Sequence, residues 1–325
     1  MKKLLLSLII TLAATTIWAK QEKFTREINK DFSVSANAFL QITNKYGNVN
    51  IIEGNEGKIV FKIEIKGKGS TEEIAKQYAE KVNIDFSASN NRVTATTHIP
   101  NMNCSNCGVT VDYVVSVPRS TTMDFDLKYG NLNMNDTPKP LTVSIKYGNI
   151  NAKAIADANI DIKYGNVDFT TCKDLKLNAA YGNFESNEID NAKIDIKYGN
   201  VNVDKIKDLA VNSQYSNVNT KNLENSFMGA ITYGRVIIDN ISTNFSKITA
   251  TGKYTTFTLG LNDKHNFKTE LSTYYGNIKR SNLKFNITKH IEDEEEQEFV
   301  AVAGTSSNPK AEVKVSTSYG NITFK

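Results

Sequence analysis

The sequence predicts an all-β fold: a right-handed three-sided parallel β-helix, or solenoid, with rungs of about 17–21 residues and a small N-terminal α+β capping region. Three observations predict it. A tyrosine recurs in one frame, mostly as Tyr-Gly-Asn, at Tyr46, Tyr129, Tyr147, Tyr164, Tyr181, Tyr198, Tyr215, Tyr233, Tyr254, Tyr275 and Tyr319. Successive gaps from Tyr129 to Tyr233 are 18, 17, 17, 17, 17 and 18 residues, and then loosen to 21 and 21. Apolar residues alternate on the approach to each tyrosine and change parity after it. A period this short marks repeats that cannot bury their apolar faces alone and must stack on their neighbours.

Taking each tyrosine as position zero, position −4 holds Phe125, Val143, Ile160, Leu177, Ile194 and Val211, and position −2 holds Leu127, Ile145, Ile162, Ala179, Ile196 and Ser213. Alternation through −4, −2 and 0 is strand periodicity with one face inward. The next apolar position is +3, as in Leu132, Ile150, Val167, Phe184 and Val201, so the chain turns at Gly-Asn, two residue types that tolerate positive φ. Further steps of three, from +5 to +8 (Ile155, Cys172, Ile189, Ile206) and on to +11 (Ala158, Leu175, Ala192, Leu209), imply two more corners. A left-handed hexapeptide coil needs an apolar residue every six positions, which is absent. The handedness of parallel crossovers favours the right-handed form.

Parallel strands stack about 4.8 Å apart, so like residues should lie above one another. The tyrosines then become an aromatic ladder. The asparagines at +2, Asn131, Asn149, Asn166, Asn183, Asn200 and Asn217, can hydrogen-bond along the stack. Lys128, Lys146, Lys163 and Lys197 at −1 form an outward stripe beside Asp126, Asp161 and Asp195 at −3. That stripe reads either as a solvated edge or as a face for an anionic glycan or lipid.

Residues 1–19 read as a secretory signal peptide: Lys2 and Lys3, an apolar run from Leu4, and Ile17-Trp18-Ala19 before Lys20. Residues 20–120 form the capping region. Turns at Glu53–Gly57 and Asn90-Asn91 separate strands near 49–52, 58–66, 82–87, 92–98 and 109–117, and Ser70-Thr71-Glu72-Glu73 is a capping box opening a helix through Lys81. Residues 121–325 form the solenoid, with a hairpin insertion near 291–316 in which Phe299–Ala303 pairs with Ala311–Val315. The acidic run Glu292–Glu298 reads as a solvated loop.

The chain has 39 Lys+Arg and 35 Asp+Glu; removing Lys2 and Lys3 leaves 37 − 35 = +2, without a basic block, which argues against nucleic acid. Cys104 and Cys107 form the sharpest local motif. They read as a small structural disulfide, with free thiols or a redox or metal pair as the alternatives. Cys172 fills a core slot otherwise held by Ile and Leu. Asp157, Asp174 and Asp208 share position +10 with Asn191, as corner residues or as oxygen ligands for a cation. His98, His265 and His290 are scattered, and nothing supports a nucleophilic triad. Neither a catalytic residue nor a cofactor is expected.

Val111-Asp112-Tyr113-Val114-Val115-Ser116-Val117-Pro118, followed at once by Tyr-Gly-Asn rungs, and the closing Thr317-Ser318-Tyr319-Gly320-Asn321-Ile322 resemble the bacterial "putative adhesin" family of exported domains. The resemblance covers most of residues 40–325 and implies a β-solenoid on an envelope or secreted protein, periplasmic, surface-exposed or released. The first expectation is therefore a non-enzymatic envelope protein whose coil binds a protein or glycan ligand, without a membrane-spanning segment. A polysaccharide-binding or polysaccharide-processing coil and a periplasmic partner in envelope-stress signalling are the alternatives.

Overall fold

The computed structural model describes residues 21–101 and 106–325. The expected signal peptide and Cys104 lie outside the described residues. The described chain is almost entirely β, in one mixed sheet of long repeated strands around a continuous apolar core from Val34 to Phe324. The central strands Ile150–Lys163, Val167–Ala180, Phe184–Lys197 and Asn200–Gln214 pair in parallel with unbroken residue-for-residue register. Ile150, Ala152, Ile155, Ala158, Ile160 and Ile162 are buried in one rung, which are the slots +3, +5, +8, +11, −4 and −2. Their equivalents repeat the pattern, so each rung buries its apolar side against the inside of the coil and its open edges against its neighbours.

The corner differs from its sequence reading in one respect. All eleven framed tyrosines adopt positive φ, from 51° at Tyr275 to 62° at Tyr46, whereas the adjoining glycines do not. A left-handed residue reverses strand parity, and so each ring is thrown outward rather than into the core: Tyr164 is 40% exposed. Glycine is needed for another reason. A Cβ on Gly165 would lie 1.7 Å from the carbonyl oxygen of Gly148, and one on Gly182 would meet Gly165 in the same way. The glycines form a column in which backbone lies directly on backbone.

That column is interrupted twice, with local compensation. Ser216 is buried, and its hydroxyl accepts from the Gly199 N–H (3.1 Å) and donates to the Gln214 carbonyl (2.8 Å). The residue at −2 there is the small Ser213. Thr255 is also buried and donates to the Ile231 carbonyl (3.0 Å); its −2 neighbour is Gly252, where a Cβ would strike Phe257 and Thr317.

At the N-terminal end, the strands Phe39–Lys45 and Val49–Glu53 form the rung of Tyr46, beneath Thr122–Lys128 and Leu132–Met134. On its other side lie Arg92–His98, paired with Asn83–Ser89, and Gly108–Val117, paired with Lys58–Gly69. A buried polar chain fastens this junction. The Asn44 amide donates to the Val111 carbonyl (2.9 Å), and the Thr97 hydroxyl lies 2.9 Å from Asn44 Oδ1 and 2.6 Å from Tyr113 Oη. Burial pushes the Tyr113 phenol up to about 12.

The helix Glu72–Glu80 is capped by Thr71, whose Oγ1 accepts from Ile74 N at 3.2 Å, one residue later than the capping-box reading placed it. It buries Ala75, Tyr78 and Ala79 against the sheet at Gly67 and Gly69, where side chains would collide with its backbone. The sequence reading missed the outermost strand, Glu22–Ser33, antiparallel to Lys58–Gly69. Arg26 and Lys30 share its inward parity with Phe24, Ile28 and Phe32 and so mask the apolar period.

The C-terminal end also corrects the reading. Ala311–Ser318 does not pair with Glu296–Ala303. It inserts in parallel between Lys247–Leu259 and Phe267–Tyr274, so the last rung in sequence is the second-to-last in space. The hairpin is Phe285–Glu292 with Glu296–Ala303, and the latter covers the outer edge of Phe267–Tyr274 in antiparallel register. The acidic run is its turn rather than a free loop: Asp293 Oδ1 accepts from Glu295 N (2.9 Å) and Glu296 N (2.6 Å), and Glu298 pairs with Lys289. The apolar alternation of both segments suited pairing but did not reveal that another strand lies between them.

Candidate binding ridge

Because every tyrosine corner occupies the same place in its rung, the eleven rings form one outward ridge along the coil. From Tyr46 to Tyr254 successive centroids lie 4.7–5.1 Å apart and the planes within 10° of parallel. Tyr254 then stacks on Tyr319 at 4.8 Å, and Tyr319 on Tyr275 at 5.4 Å. Ring faces are thus covered by neighbouring rings, and the ridge offers solvent their edges and hydroxyls. At its last ring, hydrogen bonding with Tyr274, then Glu295, raises the Tyr275 phenol above its ordinary value.

Asparagines support the ridge from beneath. Asn131 Oδ1 accepts from Asn149 N (2.8 Å), Asn149 Oδ1 from Asn166 N (2.9 Å), Asn166 Oδ1 from Asn183 N (2.8 Å), and Asn183 Oδ1 from Asn200 N (3.0 Å). Asn217 joins through its amide, 3.0 Å from Asn200 Oδ1. The ladder begins one rung earlier than the sequence reading had it, because Asn48 Oδ1 accepts from Asn131 N (2.9 Å).

The lysine row lies alongside. Lys128, Lys146 and Lys163 are stacked in register, and Lys45, which the sequence reading overlooked although it holds the same −1 slot, stacks on Lys128. Their ammonium groups lie close to the following rings, 4.7 Å from the ring centroid for Lys45 and Tyr46, 5.2 Å for Lys128 and Tyr129 and 5.5 Å for Lys163 and Tyr164. Ala180 interrupts the row before Lys197. Asp126, Asp161 and Asp195 occupy the −3 strip as expected.

Other charged rows are arranged differently. Lys205 bridges Glu188 (2.8 Å) and Glu224 (3.0 Å) on the adjoining rungs, and these hydrogen bonds raise its pKa. Lys221 pairs with Asp204 at 2.7 Å, and Lys314 with Glu270 at 2.8 Å.

The +10 residues line a shallow groove of about 540 Å³, floored by Leu175 and Leu209. Asn191 Nδ2 donates to Asp174 Oδ1 at 2.7 Å, and Asp208 Oδ1 accepts from Asn225 Nδ2 at 2.6 Å and from Ser226. Among the described residues no group of three or more His, Cys, Asp or Glu side chains is placed to hold a metal ion. Cys172 is buried, and burial together with Asp174, Asp157 and Asp190 pushes its thiol up to about 12. Cys107 precedes the strand Gly108–Val117. Of the histidines, His265 is buried, with Nε2 2.9 Å from the Ile241 carbonyl oxygen; His98 and His290 lie beside Asp85 and Glu292 on the surface. The structure does not bring the three together.

A repeated Tyr-Gly corner, an asparagine ladder and a core continuous through both ends define the architecture, and the family model that matches it spans residues 38–325. The chain belongs to the Toastrack DUF4097 family. Among solved structures, it is similar to a "putative adhesin" from Bacteroides fragilis at 13% identity, covering 92% of this chain and 97% of that one with a TM-score of 0.35. A "putative lipid binding protein" from Parabacteroides distasonis matches at 9% identity over 92% and 96% of the two chains, TM-score 0.35. A "putative cell adhesion protein" from Clostridium sporogenes matches at 12% identity over 92% and 99%, TM-score 0.18. Among curated proteins no sequence matches this chain. Among the described residues no helix is long and apolar enough to cross a membrane.

Proposed function

We propose that this family member is an exported, non-enzymatic protein of the cell envelope or surface, whose right-handed three-sided coil acts as a rod presenting a binding ridge. The observation that carries the proposal is the tyrosine ladder. Eleven large aromatic side chains are held 38–51% exposed, in a left-handed conformation that costs a bulky residue about 1 kcal/mol or more. Core packing alone would not ask for an outward tyrosine at every corner, and contiguous exposed aromatic surface of this kind marks interaction sites. The Cys104–Cys107 pair is proposed as a disulfide stapling the loop before Gly108, consistent with export.

Capture from envelope extracts and glycan panels, using residues 20–325, tests this reading. Retention of a partner by the parent protein, and its loss on Tyr164→Ser, Tyr181→Ser and Tyr198→Ser together with an unchanged β circular-dichroism spectrum, supports it. A folded triple variant that retains every partner would remove the ridge as the binding surface.

A further inference from the structure

The lysine row differs from the ion-paired rows of this coil. Across other rungs opposite charges pair, as Lys205 does with Glu188 and Glu224 and Lys221 with Asp204, and the like-charged stack of Lys176 on Lys193 ends after two residues, at Asn159 and Ala210. On the ridge Lys45, Lys128, Lys146 and Lys163 stack like on like through four consecutive rungs, and among the described residues none of the four forms an ion pair. Like charges directly opposite one another in a sheet oppose folding. Beside them the rings of Tyr46, Tyr129, Tyr147 and Tyr164 repeat at centroid spacings of 4.9–5.0 Å, with faces blocked by stacking and hydroxyl edges outward.

We propose that this four-rung strip is a binding site for a linear acidic polysaccharide that carries a carboxylate on successive sugars. The inference rests on the reading of the ridge as a binding surface and names its ligand class. The strip is one lysine wide. A single-file row of cations, with hydrogen-bonding hydroxyls alongside, fits a single extended polyanion. A unit of such a chain is similar in length to the rung spacing of about 4.8 Å, so the carboxylates that face the strip can meet ammonium groups along the row while the others face solvent. A membrane surface calls for a broader basic patch or an inserted apolar face, and single-stranded nucleic acid for open aromatic faces. The covered rings supply neither. Neutral glycans that stack on aromatic platforms are disfavoured for the same reason.

The test uses residues 20–325 with polygalacturonate as probe, fully methyl-esterified polygalacturonate as the uncharged control, and vesicles containing anionic phospholipid as a separate arm. Polygalacturonate should bind, weaken steeply with added salt, and lose at least tenfold in affinity with Lys45→Gln, Lys128→Gln, Lys146→Gln and Lys163→Gln combined. Lys205→Gln with Lys221→Gln and Lys314→Gln, which removes as much charge per site from the paired rows, should leave binding within twofold. Thermal melting confirms folding, and the ridge variant should melt no lower than the parent. A second variant, with the same four lysines changed to Arg, should retain binding.

Absence of polygalacturonate binding would overturn the proposal, as would equal binding of the esterified polymer, preference for the vesicles, or an unaffected ridge variant. If these appear while envelope capture still depends on Tyr164, Tyr181 and Tyr198, the ligand class is wrong and the binding ridge stands. If both fail, the ridge reading falls with it.

Discussion

The middle of the coil and its two ends face the same problem, an unpaired strand edge, and meet it differently. From Tyr129 to Tyr215 each rung is covered by another with nearly the same residues in the same slots, so backbone, asparagine and ring each pair with their own kind. At the ends no such neighbour exists. The N-terminal end uses antiparallel strands, a helix docked on Gly67 and Gly69, and a buried Asn44–Thr97–Tyr113 chain. The C-terminal end sends the chain back between two earlier rungs and lays a hairpin over the exposed edge. Repetition therefore builds length, while closure requires non-repeating, long-range contacts, and exposed edges left without them invite association.

The comparison is broken most severely at a glycine. Gly165→Val in the column should destabilise by about 3 kcal/mol in urea denaturation, since backbone must shift to admit the side chain. Gly108→Val near the N-terminal end, where nothing lies within 4 Å of a Cβ, should stay within about 0.5 kcal/mol. Equal effects would show that the column is not in close contact. Next in size is the closure chain. Tyr113→Phe should cost about 1 kcal/mol by removing its buried hydroxyl contact with Thr97. Asn166→Ala, which leaves the Asn183 N–H without its acceptor, should cost a similar amount.

Alkali offers a subtler probe. The Cys172 thiol is raised from about 9.0 to about 12, so in the unfolded chain it ionises first. The stability it contributes is fully present below about pH 9 and is lost as pH rises through about 12. Cys172→Val should flatten the fall in stability between about pH 9 and pH 11, and thiol reagents should leave Cys172 of the native protein unlabelled. A fall of unchanged steepness in the variant would contradict this. The smallest effect belongs to the outward row: Lys163→Ala should change stability by no more than about 0.5 kcal/mol, and in the stabilising direction, because it relieves repulsion with Lys146.

The repeat made the middle legible. Slots −4, −2, +3, +8 and +11 are buried as read, and the asparagine ladder forms as expected, because in-register stacking turns a sequence period directly into contacts. The glycine was read for the wrong reason. Tyr-Gly suggests a left-handed glycine, but the left-handed residue is Tyr164 and the glycine is needed for contact between rungs, which a single rung does not reveal. The end strands were less legible for the same physical reason. Glu22–Ser33 hides its parity behind Arg26 and Lys30, and nothing local in Ala311–Ser318 says that it enters between two earlier rungs. Of the ridge, the residues were visible but not their direction, since outward tyrosines follow from the sign of φ.

The order of rungs at the C-terminal end is the most direct test of how the ladder is closed. Thr258 is in register with Thr323, and Lys279 lies beyond it on the far side of Thr323. Cysteines placed on adjacent parallel strands, about 4.8 Å apart, are within disulfide reach, whereas two rungs apart they are not. Mass spectrometry of the oxidised double variants should find the cross-link in Thr258→Cys with Thr323→Cys and none in Thr258→Cys with Lys279→Cys. A cross-link in the second pair but not the first would mean that the rungs stack in chain order, and that Tyr319 is not the ring between Tyr254 and Tyr275.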